Sequence, residues 1–431
     1  MRIDCVNCAT SRRRQSRNRL LRLLLSAALV VLASVPAGAQ DVSDSLAIRL
    51  RRAENAIAVL QRQLAEQAER GVATRSGLRV ELNGRVAVNG FANDRRVNNV
   101  DNPQFVRPDN TPGVPVQGAG MAIRQTTLGL AVTAPAVLGG AFTGDVDVDF
   151  YGGQVPSGGG RTFPLLRLRT ARAQVRWTNW HLLVGQESPL ISALNPVSPA
   201  AVGTPAFAAA GNLWLWLPQI RVGRETGGNI RVGMQGAIVA PTSGDPAAAF
   251  DTDYDLAESA NRPFLQSRAY VKWGGGEAEL AGELGCGVHQ GWLMPAAARV
   301  PSSAFACDAM LPVVEWLEVR GEYFRGQALR GLGGGGIGQN FNTSGDPLHT
   351  SGGWAQINLR PRVGLRVGVG CGVDHPADGP ARQRNQACST YTIVRPSGPL
   401  FFGGELRRIV TGYAGANHRN DHVTIVTGFE F

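Results

Sequence analysis

Arginine is the side chain with the most chemistry to offer in this 431-residue sequence. Lys272 is the only lysine. Every other permanently basic side chain is a guanidinium, which stays charged at any physiological pH and presents a planar fork to a carboxylate or a phosphate. Arg79, Arg85, Arg167, Arg169, Arg221, Arg231, Arg320, Arg360 and Arg366 each fall on the polar side of a segment in which polar and apolar residues alternate. Asp145, Asp147, Asp149, Glu279, Glu283, Glu318 and Glu322 occupy the polar sides of similar segments. A charged group on the wall of a narrow, water-filled passage meets every solute that crosses it, so these residues are the candidates for contacting a small anion. Inward arginines facing inward carboxylates would set a transverse field across such a passage. For any single residue the competing reading is an ordinary wall charge paired with its neighbour.

Other chemistries find less support. Asp251-Thr252-Asp253-Tyr254-Asp255 has the spacing of a calcium loop but lacks the turn glycine and closing glutamate of an EF-hand, so a solvated loop is expected there. The six histidines include no helical pair at metal-ligand spacing, and the run Gly333 to Gly336 lacks the strand and helix context of a phosphate-cradling loop. No Ser-His-Asp arrangement stands out. No catalytic residue, cofactor or metal site is expected.

Cys286, Cys307, Cys371 and Cys388 allow three pairings. Gly285-Cys286-Gly287-Val288 and Gly370-Cys371-Gly372-Val373 each read as closing a strand, followed by a Pro-containing loop and a second Cys that opens the next strand. That layout favours Cys286 with Cys307 and Cys371 with Cys388, each bond tying the base of a surface loop. Metal binding by the four is the rival, weakened by the lack of a close Cys-x-x-Cys pair among them.

The elements that must position these side chains have a period of two. Leu78, Val80, Leu82, Val86 and Val88 alternate with Arg79, Glu81, Asn83, Arg85 and Asn89, and comparable segments recur at 142–150, 230–238, 317–323 and 365–369. The final segment places Val423, Ile425, Thr427, Phe429 and Phe431 on one face. Such a terminal aromatic strand looks like the signal read by the outer-membrane barrel-assembly machinery. Residues 77–431 number 355, which at roughly 20 to 24 residues per strand and connection gives about 15 to 18 strands. The fold class expected is all-β: a transmembrane antiparallel β-barrel of about sixteen strands enclosing a water-filled lumen. Gly185 to Pro218 breaks the rhythm with five prolines and a small, apolar tract at Ala206 to Ala210, and is expected to fold inward and narrow the lumen.

Residues 1–39 read as a secretory signal peptide: Arg12, Arg13, Arg14, Arg17, Arg19 and Arg22, an apolar run from Leu23 to Val35, and Ala37-Gly38-Ala39. Its removal takes away seven Arg and one Asp, lowering the formal net charge from +10 to +4, which argues against a nucleic-acid binder. Residues 40–71 read as a short periplasmic coiled coil, with Leu46, Leu50, Ala53, Ile57, Leu60 and Leu64 in alternating steps of four and three. A lone amphipathic helix is the alternative.

Arg124-Gln125-Thr126-Thr127-Leu128-Gly129-Leu130, Asp149-Phe150-Tyr151-Gly152-Gly153, Leu166-Arg167-Leu168-Arg169-Thr170-Ala171, Trp180 to Gly185-Gln186 and Leu217-Pro218-Gln219-Ile220-Arg221 resemble the DcaP-like trimeric outer-membrane porins. The resemblance is densest over residues 120–224. It implies a sixteen-stranded homotrimer with a periplasmic coiled coil, set in outer-membrane lipid, that admits small anionic solutes such as dicarboxylates; Arg167 and Arg169 then become the foremost anion-contacting candidates. A phosphate- or polyphosphate-selective porin, an outer-membrane hydrolase and a structural or adhesin barrel are the alternatives.

Overall fold

The computed structural model describes residues 72–73, 77–111, 113, 116–152, 164–244, 254–274 and 281–431. The signal peptide, the coiled coil, Glu279 and Asp251 to Asp253 lie outside the described residues.

Residue-by-residue alternation produces an almost uninterrupted succession of strands. They are β1 (Val72–Ala73), β2 (Arg79–Asn93), β3 (Gly118–Ala122), β4 (Thr127–Val137), β5 (Gly140–Gly152), β6 (Leu165–Arg176), β7 (Trp180–Glu187), β8 (Leu217–Gly227) and β9 (Ile230–Val239). These are followed by β10 (Phe264–Trp273), β11 (Gly282–Leu293), β12 (Val300–Val314), β13 (Leu317–Gln327), β14 (His349–Arg362), β15 (Leu365–Pro376), β16 (Arg382–Val394), β17 (Leu400–Tyr413) and β18 (Ala416–Glu430). Each pairs antiparallel with the next along the wall, and β18 returns to β2 with Ile425 opposite Gly90. β1 is a two-residue stub on β2, while β3 and β4 pair with the two halves of β2 and share one place. The result is a closed ring of sixteen wall strands. Closure satisfies the backbone groups that an open sheet would leave bare at its edges, which is what a strand-built membrane crossing requires.

The burial pattern inverts that of a water-soluble domain. Leu82 and Met234 are each 66% exposed and Ile425 67%, whereas Asn89, Asn385 and Asn420 are fully buried. An outward surface of Leu, Val, Ile and Phe encircling the barrel is costly in water and satisfied by lipid. Among the described residues no helix is long and apolar enough to cross a membrane; strands make the crossing. One rim carries tight turns such as Leu138-Gly139, both residues at positive φ (52° and 73°), as a two-residue hairpin turn demands. Exposed Trp180, Trp316, Phe429 and Phe431 girdle that rim, which matches the periplasmic side of such barrels. There the backbones of Phe431 and Gly84 exchange two hydrogen bonds (2.9 and 3.0 Å), and a Cβ at Gly84 would meet the Phe431 ring at 2.8 Å.

Two features depart from the sequence reading. Cys286 is bonded to Cys307 and Cys371 to Cys388, but neither bond lies at a loop base. The partners sit directly opposite one another within the β11–β12 and β15–β16 ladders, and the first ladder continues past its bond as far as Leu293 and Val300. The glycines that read as closing a strand serve another purpose. A Cβ on Gly287 would reach Ile191 at 3.0 Å, and one on Gly372 would reach the Ala210 carbonyl at 2.1 Å, so these positions admit a loop pressed against the inner wall. The second departure is that loop's consequence: the loop and the inner wall gather apolar side chains into two buried clusters inside the barrel.

Replacing Cys286 and Cys307 together by Ser is expected to lower stability by about 3 kcal/mol, given the 21-residue separation. Thermal unfolding of the detergent-solubilised barrel checks this; an unchanged midpoint would show that the bond adds nothing to the hydrogen-bonded ladder.

Candidate solute-binding lumen

The 188–216 segment leaves β7, crosses the barrel interior and returns into β8. Its backbone and hydroxyls bond to wall side chains on many sides. The Leu190 amide donates to Gln266 (2.6 Å), Ser192 to Glu322 (2.6 Å), and Ser198 to Glu405. Val197 exchanges two bonds with Gln356 (2.7 and 2.8 Å), Asn385 donates to the Ala209 carbonyl (2.7 Å), and Gln125 donates to the Ala200 carbonyl (2.5 Å). These partners sit on β10, β13, β14, β16, β17 and the β3–β4 junction, so the loop is held around much of the wall and narrows the lumen.

Two further loops pack against it. Ile191 and Leu213 meet Leu329 and Leu332 of the 328–348 loop, while Ala206, Phe207 and Ala210 meet Val106, which precedes β3, and Trp354 of the wall. Sequence reasoning singled out neither of these loops. The Gly333 to Gly336 run was the available signal for the 328–348 loop: a Cβ at Gly334 would overlap the Ala208 carbonyl at 1.6 Å, so glycine is needed for loop to meet loop.

The charged candidates face this interior, and most are paired with a neighbour. Asp149 stands opposite Arg167 and Asp145 opposite Arg172 in the β5–β6 ladder. A bulge at Arg169 shifts the parity of β6, bringing Arg172 inward together with Arg167 and Arg169, although strict alternation would turn it to lipid. The ion pairs are Arg167–Asp149 (2.6 Å), Arg169–Asp147 (3.0 Å) and Arg172–Asp145 (2.6 Å), with Glu187 also on Arg172. Arg320 binds Glu318 (2.6 Å), Arg360 binds the same carboxylate (3.4 Å), Arg231 approaches Glu225 (3.7 Å), and Arg79 binds Glu81 (2.9 Å). Charges on the same or adjacent strands thus pair locally, as in the competing reading of ordinary wall charges.

Arg167 also donates to the Gly203 carbonyl, and its guanidinium lies 5.4 Å from the Trp216 ring centre. It therefore works as an anchor for the inward loop. Three buried arginines escaped the sequence reading as pore or wall charges: Arg124, paired with Asp101 (2.5 Å); Arg268, paired with Asp308 (2.6 Å) and with the candidate Glu283 (2.7 Å); and Arg407, paired with Glu405 (2.5 Å). Strand parity alone could have marked Arg268 and Arg407; Asp101 lies in a loop, where parity gives no guide.

Three arginines are left over. Arg85 donates to the Pro199 carbonyl (2.5 Å) and lies 4.3 Å from the Phe401 ring centre. Arg221 donates to Gln219 (2.8 Å) and the Ser188 carbonyl (3.0 Å). Arg366 is half-buried on the inward face of β15. Among the described residues none of the three, which stand on β2, β8 and β15, has a carboxylate within ion-pair distance.

Arg167→Ala leaves the fully buried Asp149 carboxylate with Arg169, 3.6 Å away, as its one cationic partner among the described residues and releases the Gly203 carbonyl. The expected cost is about 3 kcal/mol. It should appear as a lowered unfolding midpoint together with noisier single-channel current as the inward loop loosens; a quiet, equally stable variant would show that the anchor is dispensable.

No protein-family model matches the sequence, and no curated protein matches it. Solved structures do. The outer membrane channel DcaP of Acinetobacter baumannii superposes with a TM-score of 0.63 at 17% identity, covering 84% of this chain and 99% of that one. An anion-selective porin from Comamonas acidovorans gives 0.54 at 11% identity over 82% of this chain and 100% of that one. Salmonella typhi OmpF gives 0.52 at 9% identity over 84% and 100%. The closed sixteen-stranded barrel described above is thus the fold of outer-membrane channels, DcaP among them.

Proposed function

We propose that this chain is a passive outer-membrane diffusion channel, assembled as a homotrimer, that favours small anions carrying carboxylates, dicarboxylates among them. The observation that carries this reading is the charge left over in the lumen: Arg85, Arg221 and Arg366 face inward without a carboxylate partner, while the inward acids nearby are engaged by other arginines. A guanidinium offers two parallel N–H groups to a carboxylate, and a second arginine suits the far end of a dicarboxylate. The likeness in fold to DcaP and to an anion-selective porin supports the same reading. Transport by diffusion needs no cofactor and no covalent step. Oligomer contacts, the coiled-coil clip and recognition of the strand ending at Phe431 by the assembly machinery belong to this proposal.

Reconstitution in planar bilayers under a KCl gradient tests it. The reversal potential is expected to take the sign of chloride preference, and succinate should block chloride current more strongly than phosphate does. Arg85→Ala, Arg221→Ala and Arg366→Ala combined should lower anion preference, each charge contributing about 1 kcal/mol at contact in water, or roughly fivefold in local anion concentration. Cation preference in the unaltered channel would overturn the reading, and stronger block by phosphate would replace dicarboxylates with phosphate as the favoured class.

A further inference from the structure

The outer wall between β13 and β16 carries a polar row at its long-loop end. Arg325 stands opposite Ser351, and Ser351 opposite His375. His375 and Arg384 flank the Asp374–Asn385 pair on adjacent strands, which extends the row to β16. All lie at the long-loop end of their strands, and Arg325, His375 and Arg384 are exposed. From β13 to β16 is three strand spacings, roughly 14 Å. Among the described residues neither arginine has a carboxylate partner, and Arg384 makes only one long bond, 3.5 Å to Gln386.

Beneath the row the outward face of β14 reads Ser351, Gly353, Ala355, a strip of small residues between Tyr323 on one side and Val373 and Cys371 on the other. Together they line a groove of about 600 Å³ that Arg384, His375 and Gln386 border at its upper end. Further down, Ile357 and Val369 continue the apolar surface, 44% and 52% exposed. The combination is two cations and an imidazole at the external membrane boundary above an apolar groove.

We propose that this face docks a phosphorylated glycolipid of the outer leaflet, its phosphate held by Arg325, His375 and Arg384 and one acyl chain laid over Ser351, Gly353 and Ala355. Charge complementarity selects the headgroup: unpaired guanidiniums at a lipid surface bind phosphate as charge-assisted forks. The small residues leave the groove open: a Cβ on Gly353 would stand 2.6 Å from the Glu322 carbonyl, so no side chain fills the strip there.

The test measures binding of diphosphoryl lipid A in mixed micelles to the full mature protein, against lipid A stripped of its phosphates. Tight binding of the phosphorylated form, weakened at least tenfold by Arg325→Glu with Arg384→Glu and unaffected by Arg224→Glu on another part of the outer wall, is expected. Single-channel conductance equal to the unaltered protein shows that the variants fold. Should they not fold, the comparison of phosphorylated with stripped lipid on the unaltered protein still decides. Equal affinity for the two lipids, full displacement by inorganic phosphate, or unchanged binding in the double variant would overturn the proposal. So would dissociation of the oligomer by the double variant, because the face would then be covered by a second copy of the chain.

Discussion

Everything in this molecule depends on one closure: the backbone ladder between β18 and β2, which turns a long antiparallel sheet into a ring with no edge. In hydrocarbon an unpaired N–H or C=O costs several kcal/mol, so a sheet with free edges could not persist there. Once the ring is shut, the two-residue period assigns every wall residue to lipid or to the interior. Leu82, Met234 and Ile425 go one way, and Asn89, Asn385 and Asn420 the other. The Phe431 ring over Gly84 and the paired backbones beneath it secure the seam where the first and last wall strands meet.

The interior solves a different problem. A barrel of this girth has far more inner surface than its own side chains can fill. Three inward loops occupy it at one end, and their apolar side chains pack on inward Phe264, Phe324 and Trp354. At the same time their backbone groups are satisfied by wall amides, hydroxyls and carboxylates, as in the bonds from Ser192 to Glu322 and between Val197 and Gln356. Polar anchoring sets where the loop runs, and apolar packing sets how firmly it stays. The glycines at 287, 334 and 372 are what permit the approach. Arginine divides its labour accordingly: Arg167 holds the loop, Arg268 and Arg407 pin the wall with buried carboxylates, and Arg85, Arg221 and Arg366 have no ion-pair partner among the described residues.

The barrel was legible because its cause is local. Alternation at Leu78 to Asn89 or at Val423 to Phe431 requires no knowledge of distant residues, and neither does the interruption from Gly185 to Pro218. Long-range facts were not legible. Which arginine is paired depends on register, as the bulge at Arg169 shows by turning Arg172 inward. The cysteines illustrate both sides: strand-and-loop layout pointed to the partners, but Gly-Cys-Gly looked like the close of a strand because nothing in the sequence reveals that Gly287 and Gly372 make room for Ile191 and Ala210. The loops around Val106 and Leu332 carry apolar residues that would suit any small surface cluster, and only the assembled interior gives them their place.

The inside-out wall is open to direct measurement. Nitroxide labels placed one at a time from His422 to Thr427 in the bilayer-reconstituted protein should show collisions with dissolved oxygen peaking at 423, 425 and 427 and falling at 422, 424 and 426, where the side chains are buried within the barrel. A profile without that two-residue rhythm, or one in which a water-soluble nickel chelate reaches 423, 425 and 427 as freely as it reaches bulk-exposed sites, would contradict a wall whose apolar face meets lipid.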